Sequence, residues 1–82
     1  MLTVKFMKYA LSDVDGPVAT EAVCLRQAPV VHVTMDKHGR QAVQCGDAPG
    51  ETYEATVGGG RDCMYNVAYI MNDSGRTVET VR

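Results

Sequence analysis

The chain reads as all-β or mostly β, a single domain over residues 1–82 built from about seven short strands. A small antiparallel meander, a barrel and a two-layer sandwich all fit that count. Three observations predict it. Apolar and polar residues alternate with a period of two over short stretches. Clusters of Gly, Asp, Asn and Pro punctuate them at short intervals. The 82 residues are 45% hydrophobic and 22% charged, a globular composition for a chain too short for a second domain.

The first segment covers residues 2–10, with Leu2, Val4 and Phe6 on one face and Thr3, Lys5 and Met7 on the other. Ser12-Asp13-Val14-Asp15-Gly16-Pro17 breaks it, because Pro17 cannot donate to a ladder and Gly16 accepts a turn. The second segment covers about 19–27, with Val23 and Leu25 sharing a face and Ala22 and Cys24 taking the other. The third, 30–35, is β-branched and compact, which predicts a strand packed on both sides.

Asp36-Lys37-His38-Gly39 is a four-residue hairpin turn: Asp36 bonds its own loop and Gly39 supplies the left-handed position. Residues 40–45 return as the fourth strand, and Gly46-Asp47-Ala48-Pro49-Gly50 is a loop. The fifth segment, 51–57, has a wet face of Thr52, Glu54 and Thr56 and a dry face of Tyr53, Ala55 and Val57. The sixth, 63–71, lines one face with Tyr65, Val67, Tyr69 and Met71. A short helix over 62–71 is the alternative, since Tyr65, Ala68, Tyr69 and Asn72 also have helical spacing. The strand is preferred because Asn72-Asp73-Ser74-Gly75 turns the chain into a partner at 76–81.

Met35-Asp36-Lys37-His38-Gly39-Arg40 is echoed by Met71-Asn72-Asp73-Ser74-Gly75-Arg76. Turn chemistry accounts for the Asp or Asn and the Gly; the flanking Met and Arg go beyond it and leave an internal duplication open.

Composition excludes several functions. The net charge of −2 lacks the basic excess that phosphate neutralisation requires, which argues against nucleic acid as a partner. No apolar run reaches about 18 residues, and the alternating N-terminal stretch lacks a signal peptide's form, so the expectation is a cytoplasmic protein outside the membrane. Three cysteines at wide spacing, Cys24, Cys45 and Cys63, are no disulfide framework and read as reduced, buried thiols.

No catalytic or metal motif stands out. The cysteines lack the close pairs of a zinc site, although His32, His38 and the thiols could converge in space. Arg61 near Cys63 favours a thiolate, but no histidine is adjacent in sequence to act as base. Asp13, Asp15 and Gly16 form only a fragment of a calcium loop. The expectation is therefore a non-enzyme with no cofactor and no metal.

The most unusual stretch is Gly58-Gly59-Gly60-Arg61-Asp62. Successive glycines let backbone N–H groups converge on an anion, and Arg61 adds a fork of donors. No helix with Lys-Ser or Lys-Thr follows, so it is no phosphate loop of the usual kind. These five residues are the candidate contact site for a partner or small anionic ligand. Lys37, Arg40, Arg61 and Arg76 sit at loop tips, and with Tyr53, Tyr65 and Tyr69 as stacking faces they define the nucleic-acid alternative.

Finally, Tyr69-Ile70-Met71-Asn72-Asp73-Ser74-Gly75-Arg76-Thr77-Val78 resembles a hairpin of small uncharacterised bacteriophage and prophage accessory proteins. The resemblance covers the last quarter of the chain and carries over no catalytic residue. It implies a compact accessory protein that binds a host or virion protein. A thin core and open strand edges add the expectation of a homo-oligomer, a symmetric dimer first of all.

Overall fold

A computed structural model describes residues 1–12, 16–19, 24–46, 52–58 and 63–82. Nine strands run in chain order: β1 (Leu2–Met7), β2 (Tyr9–Ser12), β3 (Gly16–Ala19), β4 (Cys24–Ala28), β5 (Val31–Met35), β6 (Gln41–Cys45), β7 (Tyr53–Val57), β8 (Val67–Met71) and β9 (Thr77–Val81). Seven of them form two antiparallel sheets, ordered β4-β1-β8-β9 and β5-β6-β7, and β2 with β3 makes a separate ribbon. The protein is all-β, and no helix occurs among the described residues; 67–71 is strand, not helix.

The two sheets face each other as a sandwich. Val4, Phe6, Ala28, Ala68, Ile70 and Val81 from the four-stranded sheet pack with Val43, Cys45 and Val57 from the three-stranded one. Phe6 is the largest fully buried side chain, and Tyr53 and Tyr65 meet its ring at 5.5 and 5.1 Å between centroids. Alternation explains the inner layer: Val4 and Phe6 point in, so Thr3 and Lys5 point out. The three-stranded sheet is a meander. The four-stranded sheet is not, because β1 sits centrally between β4 and β8.

Several expectations are corrected. Residues 2–10 are two strands, since the chain leaves the sheet at Lys8 and enters the ribbon. The third strand is not packed on both sides: β5 is a sheet edge, with His32, Thr34 and Met35 exposed. Its β-branched composition marks a strand but does not tell edge from centre. Tyr65 does not share a face with Val67, Tyr69 and Met71. It forms an isolated parallel bridge to Val57, and the Gly58 N–H donates to its carbonyl at 3.0 Å. One residue later, the Asn66 N–H donates to the Met7 carbonyl at 3.0 Å. The chain thus steps from one sheet to the other between Tyr65 and Asn66, and this corner shifts the inward phase from Tyr65 to Ala68 and Ile70.

The echoed hexapeptides fold alike. The Asp36 N–H donates to the Arg40 carbonyl at 2.8 Å, and the Asn72 N–H to the Arg76 carbonyl at 2.9 Å. Asp36 Oδ1 accepts from the His38 and Arg40 N–H groups, and Asn72 Oδ1 accepts from those of Ser74 and Arg76. Gly39 and Gly75 have φ of +80° and +82°. The hairpins then diverge: β5 and β6 pair in one register throughout, whereas a bulge shifts β9 against β8 so that Ala68 meets Val81.

Candidate protein-binding surface

Outward residues of the four-stranded sheet build a candidate contact surface. Register sets Leu25 beside Lys5 and Gln27 beside Thr3 on one flank of β1, with Tyr69 and Met71 beside the same two residues on the other. Thr3, Lys5, Leu25, Gln27 and Met71 line an open groove of about 460 Å³. Leu25 is 57% exposed, a large apolar side chain on an edge strand. The Met1 amino group donates to Asp73 Oδ1 at 2.8 Å at the end of the groove, an exposed pair of little energetic weight. The groove thus carries an apolar side chain on each flank, Leu25 on β4 and Met71 on β8, with Thr3 and Lys5 of β1 between them, a mixture of apolar and polar groups like that of protein contact surfaces.

Toward the other end, Met7 and Val67 on this same face are buried. Tyr9, Asn66, Val67, Tyr69 and Arg82 frame a second hollow of about 460 Å³. The Tyr69 hydroxyl bonds that of Tyr9 and pushes the Tyr9 phenol above its ordinary value.

The glycine-rich candidate is described only at its base. Gly58 lies at the end of β7, while Gly59, Gly60, Arg61 and Asp62 lie outside the described residues. A Cβ on Gly58 would stand 3.2 Å from Cys63 Sγ and 3.9 Å from Arg40 Cγ, so the two ends of the loop approach closely. The hollow beside this base, about 480 Å³, is lined by Asp36, Arg40, Tyr53, Glu54, Cys63 and Met64. Arg40 Nε stands 3.6 Å from Asp36 Oδ2, and Glu54 adds a second carboxylate. That charge mixture does not make a cation-lined anion cradle.

The other sequence candidates disperse. Cys45 and Cys63 are buried and Cys24 is half-buried, all three as free thiols. Burial pushes the Cys45 thiol up, which opposes a reactive thiolate. No group of three or more His, Cys, Asp or Glu side chains suited to a metal occurs among the described residues. His32 and His38 are exposed. Of the tyrosines offered as stacking faces, Tyr65 is buried, and Tyr53 is edge-on to Phe6 with the Arg26 guanidinium 4.2 Å over its ring. Burial, then hydroxyl contacts with Tyr65 and Cys24, hold the Tyr53 phenol well above its ordinary range.

Sequence reasoning missed Leu25 as a surface residue. Its face could have been found only from the pairing of Lys5 with Leu25, a contact between segments distant in the chain. No helix among the described residues is long and apolar enough to cross a membrane. Compared with protein-family models, with curated proteins and with solved structures, the chain matches none.

Proposed function

We propose that the chain is a non-catalytic protein-interaction module, a cytoplasmic accessory protein of a bacteriophage or mobile element that docks a host or virion protein. The observation that carries this reading is the groove on the outer face of the four-stranded sheet, with Leu25 presented at the β4 edge. An edge strand offers main-chain hydrogen bonds to an added segment, and the neighbouring outward side chains select it. The hairpin at 69–78, through its resemblance to small phage proteins, supports the biological setting. The 58–62 stretch is a separate candidate contact, since its described base at Gly58 borders a hollow other than the groove.

Consistent with a binding role, the described core holds no buried polar or charged residue, whereas large apolar side chains stand exposed at Leu25, Met35, Met64 and Val78. The test is an affinity capture from bacterial lysate with the tagged chain. The expected result is a stoichiometric protein retained by the wild type and lost from Leu25→Lys, with both chains equally folded by circular dichroism. Recovery of the chain without a partner, or equal capture by the variant, overturns the reading.

A further inference from the structure

We infer that β5 is a self-association edge, along which two copies of the chain pair antiparallel with Val33 opposite Val33 and join their three-stranded sheets into one. This surface is separate from the docking groove of the four-stranded sheet, and the inference does not depend on that groove having a partner.

The backbone supplies the first argument. In an antiparallel ladder, hydrogen-bonded and non-hydrogen-bonded pairs alternate. The Asp36 N–H donates to the Arg40 carbonyl at 2.8 Å, and the Gly46 N–H donates to the Val30 carbonyl at 2.7 Å. These contacts continue the register that pairs Val33 with Val43. The even-numbered residues of β5 therefore bond to β6, and Val31, Val33 and Met35 turn their N–H and C=O groups away from it. β5 is the outer strand of its sheet among the described residues, so this row has no ladder partner there.

Register follows from the same alternation. Val33 against Val33 makes a hydrogen-bonded pair, and Val31 against Met35 of the second copy makes the pair on either side. All three outward residues are used by both copies. Sliding by one pairing step sets Met35 against Pro29, which has no N–H, or Val31 against Lys37, which belongs to the turn. The Val33-centred register alone satisfies the whole row.

Side chains agree with it. Val31 and Val33 lie against the core, and Met35, 66% exposed, would be covered beside Val31 of the second copy. On the opposite face, exposed His32 meets Thr34 of the second copy in the closer, non-hydrogen-bonded pairs. No Asp, Glu, Lys or Arg interrupts the strand. The other edges differ. Full overlap of β4 with its own copy would oppose Arg26 to Arg26, and full overlap of β9 would oppose Glu79 to Glu79 beside a bulge. The outer side of β7 already holds the bridge from Val57 to Tyr65. β5 is the edge without these protections.

Light scattering across a concentration series, combined with amide hydrogen exchange of the full chain, tests the inference. The expected result is a species of twice the chain mass in which the Val31, Val33 and Met35 amides are protected, and lose protection on dilution. The His32 and Thr34 amides stay protected in both states, because they bond within the monomer. Val33→Pro deletes an outward N–H at an edge position that tolerates proline, and is expected to give a folded monomer. A monomer at every concentration, or an oligomer in which the three outward amides exchange freely, overturns the inference whether or not the proline variant folds. Leu25→Lys should leave the dimer intact, so loss of heterologous capture and loss of pairing are read separately.

Discussion

The side-chain amide of Asn66 pairs with both main-chain groups of Tyr9: the Tyr9 N–H donates to Oδ1 at 3.0 Å, and Nδ2 donates to the Tyr9 carbonyl at 2.7 Å. An asparagine amide presents a donor and an acceptor side by side, as a strand does, so it continues the ladder where the backbone cannot. This pairing fixes the start of the β2–β3 ribbon to the corner between the sheets. Asn66→Ala should cost about 1–3 kcal/mol, because two backbone groups lose their partner in a partly buried setting. Asn66→Asp keeps the acceptor for the Tyr9 N–H but places a carboxylate against the Tyr9 carbonyl. Urea denaturation should rank wild type above both variants, with amides near Tyr9 exchanging faster.

Asp36 and Asn72 do the same work in twin turns, but only Asp36 titrates. Backbone N–H donation from Arg40, followed by that from His38 and their nearby charges, holds its carboxyl below the ordinary value. The folded value is depressed, so the stabilisation is present above the unfolded value of about 3.9 and fades as pH falls through the folded one. Asp36→Asn should preserve the turn, as Asn72 demonstrates, and remove this part of the acid sensitivity. Thermal melts between pH 2 and 6 are the check: a flatter acid limb in the variant is expected.

Gly39 and Gly75 share the left-handed conformation, and an added Cβ would meet nothing within 4 Å at either. Substitution to Ala therefore costs backbone strain alone, about 1–2 kcal/mol at each site. Gly39→Ala and Gly75→Ala should shift the urea midpoint equally, and the corresponding Asn variants should shift it less, since Asn tolerates this region. Unequal costs would show that the two turns are not equivalent in solution.

Tyr53 should titrate late. Burial raises its phenol, with further contributions from the Tyr65 and Cys24 contacts. A raised folded value means that the stabilisation is complete below the unfolded value of about 10 and is lost as pH climbs beyond it. Tyr53→Phe should be less stable at neutral pH by roughly 1 kcal/mol through lost hydroxyl contacts. It should also lose less stability between pH 9 and 11. Ultraviolet titration of tyrosinate alongside denaturant melts separates the two effects.

The all-β class and both four-residue turns were legible in the residues themselves, because side-chain alternation and turn chemistry are local properties. Asp36 with Gly39, and Asn72 with Gly75, specify their hairpins within a few residues of chain. The groove was not legible: Leu25 looks like any strand residue until β1 pairs β4 and places it beside Lys5. Nor was the edge position of β5, since Val31-His32-Val33 would read alike at the centre of a sheet. Tyr65 and Asn66 show the same division. Their alternation predicted a continuous strand, while the close packing of Tyr65 on Phe6 and the bond from Asn66 to Met7 made a corner. Local sequence determined which segments extend and where they turn. Which faces are buried, which edges stay open and which residues share a surface depended on strand order, set by contacts between distant segments around one small core.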